Sequence, residues 1–179
     1  MKSDQHQIKK ATAEIGTALG KEKTKEFQNA ASKVVQQGMM PKDMMGLSDA
    51  MVEGIYGQAY RLYNTGKYKD ASQLFRLLIM LNSTEAKYAM GLAACFHMLK
   101  EYKNAVSTYS ICGVIDPENP IPHYHASDCY IHLNDPVSAL IALEMAIKRA
   151  GNKQEYQTLK DRALLTIDAL KKEISQLKT

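Results

Sequence analysis

The chain has 179 residues, of which 45% are hydrophobic and 23% are charged, and its formal net charge is +4. This length favours a single domain, and the composition excludes an intrinsically disordered chain, a collagen-like repeat and a disulfide scaffold. The charges at both ends alternate in sign without a long basic block, so we expect solvated helices and no nucleic-acid-binding surface. The longest apolar run, Leu77 to Leu81, is far too short to span a bilayer, which predicts an intracellular protein without stable membrane insertion.

The first 51 residues fall into two segments. Residues 1–20 are polar, and we predict that they are poorly ordered. Residues 21–51 are predicted to form a helical segment, because apolar side chains recur there at helical spacing before a methionine-rich stretch. This segment presents apolar surface that could pack on the following repeat or on a second copy of the chain. We predict a homodimer through this region, with contacts from Phe27, Val34, Met40, Met44 and Met45.

The central region repeats itself every 34 residues. Tyr68 recurs as Tyr102 at this offset, and Ala71 recurs as Ala105 and then as Ala139. A period of 34 with these residue types is the signature of tetratricopeptide repeats, each of which is a pair of closely crossing helices. We therefore predict three helical hairpins, at residues 52–85, 86–119 and 120–153.

The ends of the predicted helices carry their own signals. Gly66 stands where a helix should stop in a left-handed cap, and Pro136 can begin a helix without losing a backbone hydrogen bond. Residues 154–179 are predicted to form a last helix whose apolar stripe caps the end of the array. The predicted fold is an all-α tetratricopeptide-repeat solenoid of three helical hairpins, with an N-terminal helix and a C-terminal capping helix.

The cysteines and histidines form no catalytic or metal-binding pattern. Cys95, Cys112 and Cys129 are odd in number, lack C-x-x-C spacing and lie in apolar helical surroundings, which predicts reduced, buried thiols. His125 and Cys129 could touch one ion from one helix face, but no third ligand is evident, and a structural zinc usually needs four. The sequence also lacks a phosphate-binding loop and a nucleophile motif, so we predict no catalytic residue, metal or cofactor.

A binding groove is the remaining candidate for a functional site. In tetratricopeptide arrays the first helix of each hairpin lines a concave face, and repeat one carries three tyrosines at the positions that point into it. Tyrosine rings offer broad apolar contact with a polar tip, although the same spacing also fits rings that merely pack between repeats. We favour the groove, because other residues fill the core positions of repeat one, and predict an extended apolar peptide as its ligand. The predicted peptide-contacting residues are Tyr56, Tyr60, Tyr63, Met90, Ala94, His97, Met98, Tyr124 and Asp128.

Four segments of the sequence resemble the class II chaperones of bacterial type III secretion. Residues 56–71 contain Tyr-x3-Tyr-x2-Tyr-Asn-Thr-Gly-Lys-Tyr-Lys-Asp-Ala, residues 91–95 read Gly-Leu-Ala-Ala-Cys, and residues 105–110 read Ala-Val-Ser-Thr-Tyr-Ser. Residues 119–129 resemble the family's Pro-x-Phe-Pro-x-His-Ala-x-x-Cys motif. The resemblance implies a cytoplasmic, ATP-independent chaperone that holds an extended segment of a hydrophobic translocator protein in its groove. Such a chaperone keeps its translocators soluble, separate and secretion-competent, and by the same resemblance Tyr109 joins the groove aromatics.

The sequence departs from the family pattern at Lys100, which stands where many members have glycine. The alternative function is a general tetratricopeptide scaffold or regulatory adaptor in a bacterial protein assembly. A neighbouring gene that encodes long apolar hairpins would favour the chaperone over the adaptor.

Overall fold

The computed structural model describes residues 41–176, and the chain divides into two compact units, Met1–Asp49 and Ala50–Thr179. The described part of the first unit contains a single-turn helix, α1 (Pro41–Met44), and an ion pair between Lys42 and Asp49. The predictions for residues 1–20, and for Phe27, Val34 and Met40 as dimer contacts, lie outside the described residues.

The second unit is a series of antiparallel hairpins, which confirms the predicted all-α repeat fold. Each helix from α3 onward packs against the next helix in the chain. A short 3-10 turn, Gln154–Tyr156, precedes the last helix. The helices are α2 (Asp49–Asn64), α3 (Tyr68–Leu81), α4 (Ala86–Met98), α5 (Tyr102–Ile115), α6 (Ile121–His132), α7 (Pro136–Ala150) and α8 (Gln157–Gln176). We call α2, α4 and α6 the A helices, and α3, α5 and α7 the B helices.

Small residues are buried at equivalent positions of the A and B helices in all three hairpins. All six of them are at most 3% exposed, because two helix backbones can approach closely only where no large side chain separates them. On the A helices they are Ala59, Ala93 and Ser127, and on the B helices they are Ala71, Ala105 and Ala139. The 34-residue spacing therefore reflects small residues that recur at the same packed position of each hairpin.

In every repeat, the turn between the A and B helices has a residue with a left-handed backbone conformation at the same position. Gly66, Lys100 and Asn134 have φ angles of +77°, +61° and +55°. The amide of the following residue then donates to a carbonyl five residues earlier, as in Lys67 N to Leu62 O at 2.9 Å. This is the Schellman arrangement, which satisfies carbonyls that the end of an A helix would leave unpaired. The predicted cap at Gly66 is confirmed.

The last helix covers the apolar face that α7 would otherwise expose. Ala163, Ile167 and Leu170 of α8 are buried in one cluster with Ala139 and Leu143 of α7. Burial of these side chains supplies the hydrophobic free energy that holds the end of the array closed. Within residues 41–176, no helix combines the length and apolar character that crossing a membrane requires.

Candidate functional site

The first A helix carries an aromatic ladder along one face. The rings of Tyr56 and Tyr60 are stacked, with centroids 6.3 Å apart and planes 25° apart. Tyr60 is 54% exposed, while Tyr56 and Tyr63 are half-buried. An exposed ring that is held by a stacked neighbour is a preordered apolar contact surface. Of the three tyrosines, Tyr60 offers most of that surface to a partner.

Tyr56 is held in place by contacts from two further helices. The ring of Phe75 meets it edge-on at 6.1 Å, and the ring of Tyr88 lies 5.7 Å away. The Lys87 ammonium stands 4.7 Å from the centre of the Tyr56 ring and is paired with Glu53 at 2.9 Å. Tyr56 therefore belongs partly to the packing between repeats and partly to the open face.

Tyr63 has a similar mixed role at the end of the same helix. Its ring meets the ring of Tyr68 edge-on at 5.3 Å. Burial, together with the nearby Tyr68 hydroxyl, raises the pKa of Tyr63, so its phenol stays a neutral hydrogen-bond donor at physiological pH. Tyr56 and Tyr63 therefore take part in packing, whereas the ring of Tyr60 is open to solvent.

The second and third A helices continue this face with smaller and more polar side chains. We call the face that the predicted contact residues of α2, α4 and α6 share the A-helix face. Met98 is 48% exposed, and most of the other predicted contact residues here are half-buried. These half-buried residues are Met90, Ala94, His97, Tyr124 and Asp128. The face therefore changes from tyrosine-rich in repeat one to a mixture of sulfur, imidazole and carboxylate groups in repeats two and three.

A carboxylate and two imidazoles meet between repeats two and three. One carboxylate oxygen of Asp128, Oδ2, lies 2.8 Å from His97 Nε2 and 3.8 Å from His132 Nε2. The His132 ring is stacked on Tyr102, with centroids 4.5 Å apart and planes 9° apart. Among residues 41–176, no group of three potential ligands is arranged to hold a metal ion.

Tyr109 lies beneath this cluster and is only 2% exposed. His125 is stacked on it at 5.7 Å, and His97 meets it edge-on at 6.4 Å. Burial raises the pKa of Tyr109, so its hydroxyl remains protonated. Tyr109 therefore belongs to the floor that supports the imidazoles, and its ring is not open to a ligand as the family resemblance implied.

The three cysteines are free and buried. Burial raises the pKa of each thiol, of Cys95, Cys112 and Cys129, to about 12. A thiol in this state is neither a nucleophile nor a metal ligand at physiological pH. The cysteines are core residues.

The methionines at the predicted dimer contact are solvent-exposed within the described part of the first unit. Met45 is 66% exposed and Met44 is 37% exposed. Exposed, flexible apolar side chains of this kind can adapt to a second surface.

Three aromatic side chains that contact predicted site residues are not themselves among those predicted. Tyr88 packs on Tyr56, Tyr102 of α5 packs on His97, and His125 packs on Tyr109. The 34-residue offset could have located Tyr102: Tyr68 packs on Tyr63, and the same offset places Tyr102 beside His97, where the ring centroids are 6.0 Å apart.

Known proteins resemble this chain in both sequence and fold. The tetratricopeptide repeat family matches residues 52–83 and 86–119. Low calcium response locus protein H of Yersinia pestis is 27% identical over 148 residues, which are 83% of this chain and 88% of that protein. PcrH in complex with the chaperone binding region of PopD is 30% identical, with a TM-score of 0.69 over 72% of this chain and 96% of that one. The Yersinia enterocolitica type III secretion translocator chaperone SycD, in an alternative dimer, is 28% identical, with a TM-score of 0.68 over 70% of this chain and 96% of that one.

Proposed function

We propose that this chain, which belongs to the family of type III secretion translocator chaperones, binds a hydrophobic translocator protein through an extended segment of that cargo. The observation that carries the proposal is the aromatic ladder of the first A helix, where the ring of Tyr60 is 54% exposed and stacked on Tyr56. A large ring that is exposed and flanked by partly open aromatic neighbours is a surface suited to an apolar partner.

The groove would act by burying apolar side chains of the cargo. Each well-buried apolar anchor contributes about 1.5–3 kcal/mol, and ordering an extended segment costs several kcal/mol. Three or four anchors would therefore give affinities on the order of micromolar. Binding of this strength keeps an aggregation-prone cargo soluble and releases it without ATP. We propose no catalytic role for any residue.

The proposed peptide-contacting residues divide by exposure. Tyr60 and Met98 would make the first contacts, since about half of each side chain is open. The half-buried residues would line the pockets, and Tyr109 would support them from below. The lining residues are Tyr56, Tyr63, Met90, Ala94, His97, Tyr124 and Asp128.

We propose that the protein acts in the bacterial cytoplasm as a homodimer. A reducing compartment suits three free thiols, and SycD provides a precedent for dimerisation. Met44 and Met45 would contribute apolar surface to the dimer contact. Light scattering at tens of micromolar should give twice the monomer mass, and a monomer at that concentration would contradict this part of the proposal.

Co-expression with secreted proteins that contain apolar helices tests the cargo assignment. The wild-type chain should keep such a protein soluble and co-purify with it, whereas Tyr60→Ala should weaken binding roughly tenfold or more. Leu165→Ala is the matched control, because Leu165 is a large, 72% exposed side chain on α8, outside the A-helix face. Equal capture by the wild type and both variants would mean that the A-helix face is not the binding site.

The same experiment separates the chaperone from a general scaffold or adaptor. A chaperone keeps the translocator soluble when both are produced together, and the translocator aggregates when produced alone. An adaptor would leave the translocator's solubility unchanged and would capture other components of the assembly.

A further inference from the structure

The three repeats differ in chemistry at one position of the A-helix face. Tyr60, Ala94 and Asp128 occupy equivalent places, 34 residues apart. A carboxylate therefore stands in repeat three where repeat one has an aromatic ring. A groove that held only apolar side chains would gain nothing from a carboxylate, because its desolvation costs free energy unless a partner compensates for it.

The carboxylate of Asp128 is ordered but still open. His97 Nε2 of the preceding repeat lies 2.8 Å from its Oδ2, and His132 Nε2 lies 3.8 Å from the same atom. With both neighbours in place, 51% of the Asp128 side chain remains exposed. A preordered acceptor loses little conformational entropy when a ligand binds, so its contacts with the ligand are more favourable.

The surroundings of Asp128 suit a long side chain with a positive end. Tyr102 and His132 form a parallel stack, and His97 packs edge-on against Tyr102. Aromatic faces accommodate the methylene stem of a lysine or arginine and attract its charge. Ala94, at the equivalent place in repeat two, is half-buried and has only a methyl side chain.

The charge of the cluster is also suitable. An ionised carboxylate accepts hydrogen bonds and donates none, so a positively charged donor is its strongest hydrogen-bond partner. Across residues 41–176, the ion-pair contacts of Asp128 come from histidines and not from a lysine or arginine. A cationic group of a ligand would therefore be the first permanent positive charge at this carboxylate.

We propose that Asp128 selects a basic side chain, lysine or arginine, in the segment of cargo that occupies the groove. This inference rests on the proposed function and adds the chemistry of one subsite to it. The tyrosines of repeat one bind apolar anchors, and Asp128 sets the register of the segment by accepting from one charged donor. A charge-assisted hydrogen bond at a half-exposed site discriminates by geometry as well as by strength.

The test is peptide display with the full-length protein as bait and a library of short random peptides as the probe. The wild type should enrich peptides that carry apolar residues and a lysine or arginine at a constant distance from them. Asp128→Asn should enrich the same apolar residues without the basic one, since the amide keeps the size of the side chain and removes its charge. Tyr60→Ala should do the reverse and lose the apolar preference while keeping the basic one.

The outcomes separate this inference from the proposed function. Wild-type peptides with apolar anchors and no basic preference, or an Asp128→Asn variant that keeps the basic preference, would overturn the role of Asp128 and leave the groove intact. A wild-type chain that enriches no peptide would overturn both.

A second measurement needs no protein variant. Replacing the selected lysine by norleucine removes the charge and keeps most of the stem, and it should weaken binding to the wild type about five- to tenfold. An unchanged affinity would overturn the proposal even if Asp128→Asn proved unable to fold.

Discussion

The ring of Phe75 on α3 fills the space beside Gly91 on α4. A Cβ atom on Gly91 would lie 2.3 Å from Cε1 of Phe75 and 2.4 Å from its Cζ. Phe75 is 2% exposed, so its ring has no open space into which it could swing. The same ring meets Tyr56 edge-on, which links this close approach to the aromatic ladder.

Gly91→Ala is expected to destabilise the protein by about 1–3 kcal/mol, because the added methyl group overpacks the interface between repeats one and two. Gly57→Ala is the matched control, since Gly57 occupies the equivalent place in repeat one and a Cβ there would meet nothing within 4 Å. That variant should be neutral, or up to about 1 kcal/mol more stable through higher helix propensity. Urea denaturation of the two variants measures the difference, and equal stabilities would contradict the close packing.

The left-handed turn residue gives a second prediction. Lys100 has a φ of +61°, and glycine adopts this region without a Cβ clash. Lys100→Gly should therefore stabilise the chain by roughly 0.5–1 kcal/mol after the greater unfolded-state freedom of glycine is subtracted. Asn134→Gly should gain less, because asparagine tolerates this conformation, and Gly66→Ala should lose about 1 kcal/mol. Thermal melts of the three variants test this order, and a loss of stability in Lys100→Gly would be the opposite result.

The three buried thiols should react slowly with thiol reagents in the native protein. Each has a pKa of about 12, raised by burial, so thiolate is scarce at pH 8 and a reagent cannot reach the sulfur. A chromogenic disulfide reagent should therefore release almost no colour from the native chain. In guanidinium chloride all three cysteines should react. Fast reaction of a thiol in the folded protein would show that the packing around it opens.

Stability should fall as the pH is lowered through the histidine range. Burial, and then the nearby His97, lower the pKa of His125 from its usual 6.5, and burial also lowers the pKa of His123. The neutral imidazole is therefore favoured in the folded state, and its contribution is present above pH 6.5 and lost as pH falls below it. The free energy of unfolding, measured in urea at pH 7.5 and 5.5, should differ less in His125→Gln than in the wild type. An identical pH dependence in both proteins would mean that His125 is protonated without cost.

Some features of the site could be predicted from the sequence because they repeat. The 34-residue period linked Ala71, Ala105 and Ala139, all of which are fully buried, since only small side chains allow two helix backbones to approach closely. It also placed Tyr60 and Met98 on the A-helix face, where the structure leaves both half open. These positions depend on helical spacing, which is a local property of the chain.

Other features depend on contacts between repeats, which no local pattern specifies. The family resemblance implies a groove role for Tyr109, yet His97 and His125 pack on its ring from two different helices. The contact between His97 and Asp128 joins residues 31 positions apart, so neither side chain indicates the other in the sequence.

The sequence by itself determined the repeat, the helices, their caps and the aromatic character of one face, because each follows from spacing and residue size within a few helical turns. Only the tertiary structure decided how the tyrosines and histidines of that face divide between packing and exposure, since this depends on which side chains from neighbouring repeats cover them. The tertiary structure leaves the ring of Tyr60 exposed, buries Tyr109 beneath the imidazoles, and holds a half-exposed carboxylate between two imidazoles.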